Sequence, residues 1–117
     1  MPGYITPPES WSTSTAVGSN VTATVTRTTA TANTKHICTG IYASVASTAA
    51  AGTIQVLQLK DGANPIWQSN MAPGDEVNIS NLYIAASSNS SLTLAFASGN
   101  GAGTHQSVSL TGVTVAS

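Results

Sequence analysis

Val21-Thr22-Ala23-Thr24-Val25-Thr26-Arg27-Thr28 decides how the rest of the chain is read. Val21, Ala23 and Val25 fall on one side of a period of two, and Thr22, Thr24 and Thr26 on the other. Successive side chains of a strand point to opposite faces, so this alternation predicts a half-buried β-strand. The same grammar recurs downstream. Lys35 to Ser47 predicts a second strand, with Ile37, Ile41, Ala43 and Val45 inward and Gly40 as a candidate bulge. Thr53 to Lys60 predicts a third, whose apolar residues change phase at Val56-Leu57. That change implies either a bulge or a strand covered on both faces.

Turn signals separate the runs. Asp61-Gly62 ends the third, and Pro65, Ile66 and Trp67 begin a short fourth. Ala72-Pro73-Gly74-Asp75 is the next turn. Val77 and Ile79, then Leu82 and Ile84, make two short strands. Ser90 to Ser98 places Leu92, Leu94 and Phe96 on one face. After the glycine-rich Gly99 to Gly103, Thr104 to Val115 closes the chain. Val108 and Leu110 share one phase there, Val113 and Val115 the other, with a possible bulge at Gly112. The expected core is Val21, Val25, Ile37, Ile41, Val45, Leu57, Leu92, Leu94, Phe96, Val108 and Leu110.

About eight short strands and no capped amphipathic helix predict an all-β fold. The expected architecture is an antiparallel β-sandwich wound as a jelly roll, with an immunoglobulin-like sandwich as the alternative. Residues 1–19 read differently. Pro7 and Pro8 enforce extended backbone, and residues 12–19 are mostly small and polar. The expectation is an extended N-terminal arm over residues 1–19 and one sandwich domain over 20–117. Tyr4, Ile5, Pro7, Pro8 and Trp11 are the candidate interface residues, anchoring the arm to a neighbouring subunit or folding back on their own domain.

Composition narrows the function. The chain has 117 residues, of which 6% are charged, against roughly 25% in soluble domains. Ser and Thr number 33 and supply the polarity instead. A net charge of −1 and three scattered cations, Arg27, Lys35 and Lys60, offer no field for nucleic acid or an anionic membrane. A nearly neutral surface is weakly protected from self-association, which suits a protein packed in an assembly. The N-terminus lacks the basic and apolar regions of a signal peptide, and no apolar run reaches bilayer length. The expectation is synthesis in the cytoplasm.

Candidate chemistry is sparse. Asp75 and Glu76 are adjacent and point apart, and Asp61 reads as a turn residue. His36 and Cys38 would share a strand face, with His105 distant. That triad lacks the spacing of a zinc site, and the expected reading is a strand-edge His beside a buried Cys. Gly99 to Gly103 lacks the Lys-Ser or Lys-Thr of a phosphate loop. Trp67 is expected in the core. No enzymatic activity, cofactor or metal is expected.

Asn20 to Arg27, Lys35-His36-Ile37-Cys38-Thr39-Gly40-Ile41-Tyr42-Ala43-Ser44, Leu59-Lys60-Asp61-Gly62 with Ile66-Trp67, and Leu110-Thr111-Gly112-Val113-Thr114-Val115 together resemble small proteins encoded in the structural gene regions of tailed bacteriophages. Small β-sandwich proteins of that kind serve as capsid decoration, or cement, proteins, commonly as trimers on the head. The resemblance implies a virion protein on the capsid surface, with the major capsid protein and its own copies as partners and no catalytic residues. A tail- or fibre-associated virion protein, or a module binding a host-surface glycan or protein, stays open beside it.

Overall fold

The computed structural model describes residues 9–17, 22–47, 54–97 and 104–117. Nine strands run through them: β1 Glu9–Val17, β2 Thr24–Arg27, β3 Thr34–Ser47, β4 Gln55–Asp61, β5 Asn64–Met71, β6 Glu76–Ile79, β7 Ile84–Ala85, β8 Leu92–Phe96 and β9 Thr104–Ala116. No helix occurs among the described residues. One sheet has the order β1-β9-β3-β6, with β7 also on β3, and the other the order β2-β8-β4-β5.

The pairing is nested and antiparallel throughout. β1 pairs β9, β2 pairs β8, β3 pairs β6 and β7, and β4 pairs β5. The chain is thus one long antiparallel hairpin, first strand to last, rolled so that β9 also meets β3 and β8 also meets β4. That winding is the jelly roll expected from the sequence. β6 and β7 together occupy one lane, which reconciles nine strands with eight positions.

Local chemistry sets the corners. β4 and β5 join through Gly62 and Ala63, with Gly62 at φ 61°. A positive φ at the first position of a two-residue hairpin loop favours glycine. Ala72-Pro73-Gly74-Asp75 is a type II turn, with Pro fixing the first corner and Gly74 at φ 95° the second. The Asp75 amide donates to the Ala72 carbonyl at 2.9 Å, and Asp75 Oδ2 accepts from the Ala72 amide at 2.8 Å. Among the described residues, Asn33, Asn81 and Asn89 hold the positive-φ positions outside glycine, which asparagine tolerates better than most residues.

The core lies between the sheets. Val25, Ile41, Val45, Leu57, Leu92, Leu94, Phe96, Val108 and Leu110 are all buried in it, as expected, and Trp67 packs on its margin. Val21 lies outside the described residues. Ile37 is buried too, but not in this cluster. The register with β9 shifts between Cys38 and Gly40, so Thr39 is an extra residue and the phase of β3 inverts there. Cys38 therefore joins Ile41 on the core face, and Ile37 turns to the outer one.

Three other expectations are corrected. The phase change in β4 is no bulge: Gln55, Leu57 and Leu59 all face inward, and Ile54 is left 54% exposed. The register shift on that strand lies further on, at Leu59/Lys60. Gly112 is no bulge either, because β9 pairs regularly through it with β1. A Cβ there would run into the Ile37 carbonyl oxygen and come within 2.5 Å of Trp11 Cζ2, so glycine makes room for the indole.

The third correction concerns the arm. Residues 9–17, expected in it, form β1 and pair with β9 over nine consecutive positions. Its Ser/Thr alternation hid a strand, since the inward positions Thr13 and Thr15 are not apolar. Residues 1–8 lie outside the described residues.

Candidate interaction surfaces

Trp11 is 8% exposed and belongs to the domain's own core. It does not serve as an exposed interface anchor in this fold. β1 places it opposite Gly112, and β3 places His36 beside it, ring edge to ring face at 5.6 Å between centroids. Trp11 Nε1–H donates to Thr114 Oγ1 at 3.0 Å. His36 Nε2 lies 2.6 Å from the Thr28 carbonyl oxygen and Nδ1 2.7 Å from Thr114 Oγ1. A carbonyl can only accept, so Nε2 carries the hydrogen, and in the neutral ring Nδ1 accepts from the Thr114 hydroxyl. The hydrogen bonds form a closed chain from indole to hydroxyl to imidazole to backbone. Arg27 caps it, its guanidinium carbon 5.3 Å from the indole centroid and its Nη2 2.8 Å from Glu9 Oε1. A cleft of about 160 Å³ opens beside this group.

His36 is buried in the interior of β3, not at a strand edge. His105 pairs Ala46 and His36 pairs Thr114, which separates the two imidazoles by roughly 30 Å along the sheet and places them on opposite faces. Cys38 is buried; desolvation pushes its thiol up to about 11, against a smaller opposing effect of its hydrogen bond to the Gly40 carbonyl. Such a thiol is a poor nucleophile at neutral pH. Among the described residues, no three His, Cys, Asp or Glu side chains come together.

Asp61 is a turn residue with a further role. Its carboxylate accepts from the Ser87 amide at 3.0 Å, the Ser87 hydroxyl at 2.7 Å and the Ser90 hydroxyl at 2.5 Å. Partial burial raises its pKa, but these three donors outweigh it and hold the carboxyl below its ordinary value. The β4/β5 turn is thereby tied to the segment between β7 and β8. Asp75 closes its own turn, and Glu76 lies on the outer face. Asn78, one of three Asn-x-Ser/Thr positions in the chain, is exposed beside it.

The outer face of the five-stranded sheet carries a groove of about 210 Å³ that the sequence did not signal. It forms where the Thr39 bulge in β3 lies opposite the break between β6 and β7. The Leu82 amide donates to the Thr39 carbonyl there at 3.0 Å. Tyr42, Asn78, Ser80, Ser109 and Thr111 line it. Tyr42 donates from its hydroxyl to Glu76 Oε2 at 2.8 Å, which fixes the ring.

No family model and no curated protein matches the chain. Among solved structures it is similar to a chain described as "Cyanophage Pam1 capsid asymmetric unit", at 16% identity and a TM-score of 0.48. That likeness covers 98% of this chain and 89% of the other.

Proposed function

We propose that this chain is a bacteriophage virion structural protein, and specifically a capsid decoration protein that binds the head shell. The observation that carries this reading is the nested jelly-roll winding, a fold used in viral shells, in a chain with 6% charged residues. Where they fall among the described residues, the segments that resemble phage structural proteins lie on or beside β2 to β5 and β9 of that fold. The function is mechanical and involves no catalysis. Copies bridge neighbouring shell subunits, and many modest contacts add to firm attachment because each bound site raises the effective concentration at the next. Purified recombinant protein should co-sediment saturably with heads of the phage that encodes it and raise the temperature at which they burst. Binding to tails alone, or absence from purified particles, would overturn the reading.

One feature favours a second reading, a module for a neutral surface glycan. The Tyr42 groove presents a fixed aromatic ring beside amide and hydroxyl groups, the combination that meets the apolar face and hydroxyls of a sugar. Titrating ¹⁵N-labelled protein with neutral hexoses should shift amides of Thr39 to Tyr42, Asn78 to Ser80 and Ser109 to Thr111. Shifts scattered elsewhere, or none at millimolar sugar, would remove it.

A further inference from the structure

The two sheets end in four edges, and three of them are blunted. β2 is four residues long and ends at Arg27. β5 carries Pro65 and faces a register shift at Leu59/Lys60. The β6 and β7 lane is cut into pieces of four and two residues by a break containing Asn81 at φ 61°. Short strands, proline, bulges and charge are the devices by which folded proteins keep sheet edges from pairing with other chains. β1 has no break, bulge or proline, and its one charged residue, Glu9, stands at the strand's end. It is nine residues long and pairs with β9 without a register shift. Between Ser10 and Ala16 it contains no proline, glycine or charge. Among the described residues, nothing pairs with its outer side.

We infer that β1 is an assembly edge, and that its partner is β1 of a second copy, paired antiparallel about a two-fold axis centred on Thr13. Alternate N–H and C=O groups of a strand paired on one side point outward, so the open edge offers a regular row of donors and acceptors. A two-fold contact uses the same edge twice and closes on itself. A cyclic trimer built by sheet extension would need a second, different edge, and the other edge of this sheet is the broken β6 and β7 lane. The side chains agree with the two-fold. The one bulky group, Trp11, is turned into its own core. Ser10, Ser12, Ser14 and Ala16 are exposed and small, so two sheets can meet flush. In this register Ser12 lies opposite Ser14 of the partner, a pairing of hydroxyls that favours antiparallel strands. The two Glu9 side chains fall at opposite ends, roughly 27 Å apart and beyond the screening length at physiological salt. This contact is independent of the virion reading and differs from the trimer that the sequence resemblance implies.

Sedimentation equilibrium of the full chain, with the variants S12K/S14K and Q68K/N70K, tests it. Both pairs of positions are exposed, so each variant should keep the β-sheet circular dichroism of the parent. The parent should be a dimer at micromolar concentration. S12K/S14K sets lysines opposite one another across the axis and should weaken dimerisation about tenfold or more. Q68K/N70K, on the β5 edge, should leave it unchanged. Concentration-dependent protection of β1 amides from hydrogen exchange should accompany the dimer. A monomeric or trimeric parent, or a dimer disrupted by Q68K/N70K and not by S12K/S14K, would overturn the inference.

Discussion

The same sandwich buries polar side chains in two places, eight residues apart on the inner face of β9. At Thr114, a hydroxyl links Trp11 to His36, and the imidazole ends on the Thr28 carbonyl. At Gln106, an amide oxygen accepts from the Ala23 backbone N–H at 2.8 Å, and its nitrogen meets Gln55 Oε1 at a marginal 3.5 Å. The Gln106 bonds are buried and the Thr114 chain is half-buried beside its cleft, and the two sites bind different things together. The Thr114 chain joins three strands and two aromatic rings, so losing one member strands several others. The Gln106 site links β9 to the entry of β2 and to β4 across the sandwich, and a single backbone donor depends on it. Buried polar groups cost most where one removal leaves several unpartnered.

Trp11→Ala should be the most damaging change. It removes the indole from a snug site over Gly112 and should cost about 3–5 kcal/mol in denaturant unfolding. A loss near zero would mean that β1 docks without its ring. Thr114→Val keeps the shape but leaves Trp11 Nε1–H and His36 Nδ1 without their shared partner. A cost of about 2–4 kcal/mol is expected. Gln106→Leu orphans the Ala23 amide and should cost about 1–3 kcal/mol, less than Thr114→Val measured side by side. Equal costs would show that the two sites are built alike.

Asp61 is a charged group held by three donors, and its replacement should have the smallest effect at neutral pH. Its pKa is lowered on folding, so the unfolded chain takes up the proton first. Its contribution is fully present above the unfolded value of about 3.9 and is lost as pH falls through the lower folded value. Asp61→Asn should flatten the fall in stability over that acid range and change little in how pH acts above it. An unchanged acid slope in unfolding midpoints would show that the Ser87 and Ser90 bonds add nothing.

Much of the fold was legible because strand alternation is a local property. Leu92-Leu94-Phe96 and Val108-Leu110 lie on the core face with the phase the sequence predicts, and Asp61-Gly62 and Pro73-Gly74 sit at corners whose φ values suit them. Where polar residues face inward, that local signal is missing. β1 read as an arm because Thr13 and Thr15 occupy inward positions at a sheet margin. Gln55 and Gln106 gave no apolar signal because their burial rests on partners 51 residues apart in sequence.

The all-β class, the corner positions and the apolar core are legible in the chain alone, since each depends on residues within a few positions of one another. The face that Ile37 takes, the need for glycine at 112 and the position of the Tyr42 groove are settled by packing instead. The first follows from one extra residue in β3 read against β9, the second from an indole 101 residues earlier in the chain, and the third from a bulge and a strand break that meet across the sheet. Each is a relation between distant segments, and in a hairpin rolled from first strand to last, nearly every decisive contact is of that kind.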